Sequence, residues 1–295
     1  MKLIPTDSDI QFWIDTYVPL KDLFFITEVD LEKLNIDVRH VLLMPSKEFF
    51  QHPSYSQIGF VNSYEYWNIK KCTYVIVARP EWIEQLPEKK RAYLLNVQIE
   101  IGRGLVWPIS FFEKGVNLPS RYIVGESIVI QRNMWDMLSA DIKKAAMMKM
   151  VGKWWEDGKC EAIHDGVPSH VKLYANSFGR HEGANCLAAV IFAVSGTEWM
   201  MNEWLHQETF LECLKQHLYS ETAAEVFFAG DVAVWKDGNG VIQHASYYCG
   251  EQIFFNKQGQ TTYNAWKLVA ENDLMVEWQD LSIHIYRKKQ KYITS

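Results

Sequence analysis

The chain has 295 residues, long enough to bury a full core as one large domain or two ordinary ones. Charged residues make up 22% and hydrophobic residues 48%, the profile of a water-soluble globular fold. The formal charge of -6, with no Lys/Arg cluster beyond the short "RKKQK" near the end, argues against a nucleic-acid partner.

The opening "MKLIPTDSDIQFWIDTY" lacks the apolar core and small-residue cleavage site of an export signal. The longest apolar run, Cys186 to Val194, falls far short of the roughly 20 residues that span a bilayer. The expectation is a cytoplasmic protein without a membrane partner. The five cysteines show no C-x-x-C spacing, so neither a disulfide framework nor a zinc ribbon is encoded. Cys160 with His164 is the nearest approach to a metal pair, and a structural zinc needs four ligands. No metal or cofactor is expected.

In chain order, the first half mixes patterns. "CTYVIVARP" (Cys72 to Pro80) is rich in strand formers and stops at a proline. "PEKKRAYLLNVQIEIGRG" opens on Pro87 and ends at Gly102 and Gly104, which predicts a helix with a glycine stop rather than a phosphate loop. Ser139 reads as the cap of an amphipathic helix running to about Trp155, its Met and Trp stripe facing a core. The Gly-, Pro- and charge-rich "EDGKCEAIHDGVPSH" (Glu156 to His170) suits a connector. Two domains follow: residues 1–157, mixed α/β and without recognisable chemistry, and residues 158–295.

The second half has a clear order. The loop "YANSFGRHEGAN" leads to an apolar helix beginning at Cys186, and "EWMMNEWLHQETFLECLKQHL" predicts a second helix containing His206. Strands "DVAVW", "VIQHASYYC" and "QIFFNKQG" follow, joined by "DGNG" and "GEQ" turns, and "LSIHIYRK" supplies a last strand. Helices first and an antiparallel sheet afterwards make an α+β domain. Strand alternation puts Ile242, His244, Ser246 and Tyr248 on one side, and Phe254 with Asn256 on one side of the next strand. A tight turn between these strands lets His244 and Asn256 approach each other.

That pattern fits nucleophilic catalysis by a thiol. A helix N-terminus and a neighbouring imidazolium stabilise a thiolate, and Cys186 with His244 supplies both. Asn256 holds the imidazole in its tautomer, the third place in a Cys-His-Asn triad, with Gln258 or Gln260 as alternatives on the same strand face. The backbone N–H of Cys186 is a natural oxyanion donor. Cys213 and Cys249 read as packing residues.

The order Cys-helix, "GDVAVW", "HASYYCGEQIFFN" resembles the NlpC/P60 superfamily of papain-like cysteine peptidases. The positions that carry it are Cys186, Gly230 with Asp231, His244, Gly250 and Asn256. The resemblance covers the last 120 to 130 residues or so, the size of one ordinary domain. Asn185 and Leu187 flank the cysteine in place of the family's usual Asp and Ser/Gly, and Asn256 stands where many members have His.

The resemblance implies a papain-like domain, its catalytic helix packed on an antiparallel sheet, and a cysteine peptidase or amidase. Its implied substrates are peptidoglycan stem peptides or related isopeptides; without an export signal, recycled muropeptides or another small amide fit better. It also implies a tyrosine upstream of the nucleophile, for which Tyr174 is the candidate; His181, ahead of Cys186, is a second candidate substrate contact. An acyltransferase on the same fold, or a non-catalytic module that keeps it, stays open, and oligomeric state is not encoded in any pattern here.

Overall fold

Short strand-forming runs pair antiparallel in three sheets, and helices cover them. This α+β architecture is described by a computed structural model for residues 1–152 and 158–289. The chain divides into a unit of Asp7–Lys153 and a second of Met1–Thr6 with Trp154–Ser295. The first six residues therefore go with the C-terminal half. Leu3 N–H donates to the Gly158 carbonyl at 2.7 Å, and Lys2 bridges Lys159.

In the first unit α1 (Asp7–Thr16) precedes β1 (Asp22–Ile26), β2 (Leu42–Pro45) and β3 (Tyr74–Ala78), with β3 in the middle of the sheet. The strand expected at Cys72 to Pro80 is β3. α2 (Glu88–Glu100) follows Pro87 and gives way to Gly102 in the left-handed region, as the spacing predicts. Gln98 on α2 is fully buried and pairs with the free edge of β1, accepting from Phe25 N–H at 2.8 Å and donating to its carbonyl at 3.0 Å. One side chain thus satisfies both backbone groups that an edge strand leaves open. A small sheet of β4 (Val106–Pro108), β5 (Ile123–Val124) and β6 (Ser127–Val129) comes next. α3 (Ala140–Val151) is capped by Ser139, whose hydroxyl accepts from Ile142 N–H. The stretch of this helix expected towards Trp155 lies outside the described residues.

The second unit is built on α4 (Cys186–Ser195), α5 (Gln207–Gln216) and a six-stranded antiparallel sheet. Its strands are β7 (Tyr219–Thr222), β8 (Val232–Lys236), β9 (Ile242–Gly250), β10 (Ile253–Lys257), β11 (Trp266–Ala270) and β12 (Ser282–Lys288). They lie in the order β11-β10-β9-β8-β12-β7, with α6 (Glu271–Glu277) between β11 and β12. α4 is apolar on nearly every side because it is buried on nearly every side. It packs on β9 and β10, against Val234, Ala245, Tyr247 and Phe255. The opposite face is covered too: Trp235, Tyr248 and Phe254 cluster with Leu274 of α6 and Trp278.

The long helix expected from Glu198 is two pieces, a 3₁₀ turn at Glu198–Asn202 and then α5. Asn185 Nδ2–H takes the Leu205 carbonyl at 2.8 Å, which holds the chain in the gap between them. His206 accordingly precedes α5 rather than sitting inside it.

Candidate active site

Asn185 fixes the start of α4. Its Oδ1 accepts from Ala188 N–H at 3.0 Å, a side-chain cap that leaves Cys186 as the first helical residue, where unpaired N–H groups and the helix dipole favour negative charge. Asn185 therefore fills the capping role itself.

The sheet supplies the rest. The β9–β10 ladder pairs Phe255 with Tyr247 and stops there, while Asn256 and Lys257 continue to pair with β11. The Cys186 thiol lies close to the backbone N–H of Ala245, the residue after His244. His244 Nε2 is 2.7 Å from Asn256 Oδ1, and Ser246 Oγ–H donates to the same oxygen at 2.8 Å. Since that amide oxygen only accepts, the proton sits on Nε2 and the Nδ1 lone pair is left for other work. Trp278 stacks on the imidazole with ring centres 4.6 Å apart and planes 12° from parallel. All three polar side chains are buried.

The structure thus pairs His244 with Asn256 on the face of the sheet that carries Trp235, Phe254 and Trp278, and leaves Cys186 on the α4 face beside the Ala245 N–H, so it does not bring the expected triad together. Among the described residues no hydrogen bond joins the thiol to the imidazole. Of the alternatives to Asn256, Gln258 is half-buried and donates to Glu277, and Gln260 contributes its carbonyl to Gly183 N–H.

Protonation in the resting site departs from the thiolate–imidazolium pair expected. Burial pushes the Cys186 thiol up, against the pull of the amides of Ala245, Leu187 and Cys186 itself and the charge of Lys257. Burial brings the His244 imidazole down to about 4, against its bond to Asn256. Both shifts favour neutral forms. Thiol and imidazole each rest neutral, on opposite faces of the sheet.

The two candidate substrate contacts lie elsewhere. The Tyr174 ring packs edge-on against Phe192, six positions along α4 from Cys186 and roughly 9 Å along the axis. Its hydroxyl is turned to Glu198. His181 is exposed in the loop ahead of Cys186. Asp231 is a structural anchor: buried, it takes a two-pronged contact from Arg287 of β12 at 2.8 and 2.6 Å and the Phe228 N–H at 2.8 Å. The five cysteines are free thiols. His164 Nδ1, which with Cys160 is the nearest approach to a metal pair in the sequence, accepts from Gly166 N–H at 3.2 Å.

Three neighbours of the site had no assigned role in the sequence reading. Trp278 lies beyond α6 with no local pattern linking it to His244. Ser246 was legible only as a residue on His244's side of the strand. Lys257 is buried at 1% exposure on the α4 side, its signal hidden in an ordinary polar position of a strand.

Comparison with protein-family models, with curated proteins and with solved structures finds no match for this chain. Among the described residues no helix is long and apolar enough to cross a membrane.

Proposed function

We propose that the second unit is a thiol-dependent amide hydrolase of the NlpC/P60 type, acting through Cys186, His244 and Asn256. The observation that supports it most is the buried His244–Asn256 bond, roofed by Trp278, with the thiol of Cys186, the first residue of α4, close to the N–H of the next residue of the strand.

With both groups neutral at rest, the proton moves as the bond forms. The reaction requires His244 to leave the face of the sheet opposite α4, where it rests, and meet the thiol; Sγ then attacks the carbonyl carbon of an amide while Nδ1 takes the thiol proton. The N–H of Cys186 faces the developing oxyanion. The C–N bond then breaks, the imidazolium gives its proton to the leaving amine, and a thioester remains. Water attacks the thioester with Nδ1 as base; thiol and acid are released. The substrate class is a short peptide or isopeptide, such as a peptidoglycan stem fragment, or another small amide.

The neutral resting pair also favours a second reading, a binding module that keeps the fold without turnover. Iodoacetamide alkylation of each cysteine against pH, read by peptide mass spectrometry, separates the two. Hydrolase chemistry expects alkylation of Cys186 that depends on His244 and falls away in His244→Ala. A thiol that titrates like a free cysteine in both proteins sinks the hydrolase reading and leaves the module.

A further inference from the structure

Lys257 does no work in the mechanism above, yet the fold buries its amine on the α4 side of the sheet, where it and Cys186 feel each other's charge. Lysine is almost never fully buried unless paired. Here Nζ donates to two main-chain carbonyls, Thr261 at 3.1 Å and Asn264 at 2.6 Å, and lies 5.4 Å from the Trp266 ring centre. Neither bond is to a carboxylate. The charges it feels are those of Glu182 and Cys186.

The surroundings are built to hold it there. Asn264 Oδ1 accepts from both the N–H and the hydroxyl of Thr261, which turns the two carbonyls towards one amine. That loop is tied to the segment before the nucleophile: Gly183 N–H donates to the Gln260 carbonyl at 2.7 Å, and Thr262 Oγ1–H to Glu182 at 3.4 Å. Lys257 shares the α4 side of β10 with Phe255, whereas Asn256 turns towards His244. Consecutive residues of one strand thus face opposite sides of the sheet, Asn256 with His244 and Lys257 with α4.

We infer that Lys257 is a positioning residue whose ammonium supplies the positive charge that stabilises the Cys186 thiolate as it forms, with Glu182 as its counterweight. The inference rests on Cys186 being the nucleophile. Burial lowers the Lys257 ammonium to about 7, against the pull of Glu182 and Cys186, so its charge is finely balanced at neutral pH. A negative charge growing on sulfur holds the proton on the amine. Glu182 competes for the same charge and repels the thiolate.

The test is the rate and pH midpoint of Cys186 alkylation by iodoacetamide in wild type, Lys257→Met, Glu182→Gln and His244→Ala, with Cys213 of α5 as internal control. Lys257→Met should raise the midpoint by about one pH unit and slow alkylation at pH 7 about tenfold. Glu182→Gln should speed it about threefold. A purely structural staple leaves the midpoint where it is in a folded Lys257→Met protein, and that result overturns the inference. If Lys257→Met does not fold, Glu182→Gln decides, and an unchanged rate is fatal. Effects of Lys257 and Glu182 without any effect of His244 would keep the inference and overturn the hydrolase; the reverse pattern would keep the hydrolase alone.

Discussion

His244 is held neutral by its surroundings rather than by a partner. Tryptophan rings lie on either hand, Trp278 stacked and Trp235 at 5.5 Å, and the one bond to Asn256 does not offset the loss of water. The unfolded imidazole titrates near 6.5 and the folded one at about 4, so between those values the unfolded chain binds the extra proton. Stability is therefore full above about pH 6.5 and is lost as pH falls towards 4. The shift corresponds to about 3 kcal/mol. Urea unfolding at pH 7 and pH 4 should show this added loss in wild type and not in His244→Gln. Equal losses in both would mean the imidazole is not desolvated as the structure has it.

At the scale of elements, the turn between β9 and β10 pairs two strands at a conformational cost. Glu251 and Gln252 both have positive φ, 52° and 59°, the pattern of a type I′ hairpin that Asn-Gly adopts most readily. Replacing the pair by Asn-Gly should stabilise the protein by about 1 kcal/mol, read as a shift in urea midpoint without a change in slope. The turn itself was legible, because Gly250 and the strand formers on both sides mark it. So was the His244–Asn256 approach, which follows from strand period and a short turn alone. What local pattern could not show was the gap after Asn202, since it depends on Asn185 reaching the Leu205 carbonyl from another helix. β11, α6 and the stack of Trp278 were hidden for the same reason: they are tertiary pairings between segments whose own sequences are unremarkable.

At the scale of the molecule, each unit carries its own buried polar centre. In the first unit Arg103, at 3% exposure, donates to the carbonyls of Leu23, Gly104 and Ile130 and lies in the field of Asp22. Burial pushes the Asp22 carboxyl up to about 7 despite the Arg132 N–H and both guanidinium groups. Nothing in "IGRG" marks this role; the motif read correctly as a helix stop, while the arginine inside it ties three segments together. Arg103→Met strands three carbonyls and takes one of two guanidinium charges from Asp22, and should cost about 3–5 kcal/mol in chemical denaturation. A loss below 1 kcal/mol would show that water takes over those contacts. The α+β order of the second unit was legible from its punctuation, whereas the first unit offered separate elements without a pattern to join them.

The ring stacked on His244 gives the site an optical property. An imidazolium face-on to an indole draws on its π electrons and quenches its emission, whereas a neutral imidazole leaves it bright. Trp278 is therefore a built-in fluorophore for the charge on His244. The difference spectrum between wild type and Trp278→Phe should dim as the solution is acidified towards pH 4. Followed in a stopped-flow instrument on mixing with a candidate amide, the same signal would test whether a proton reaches His244 at all.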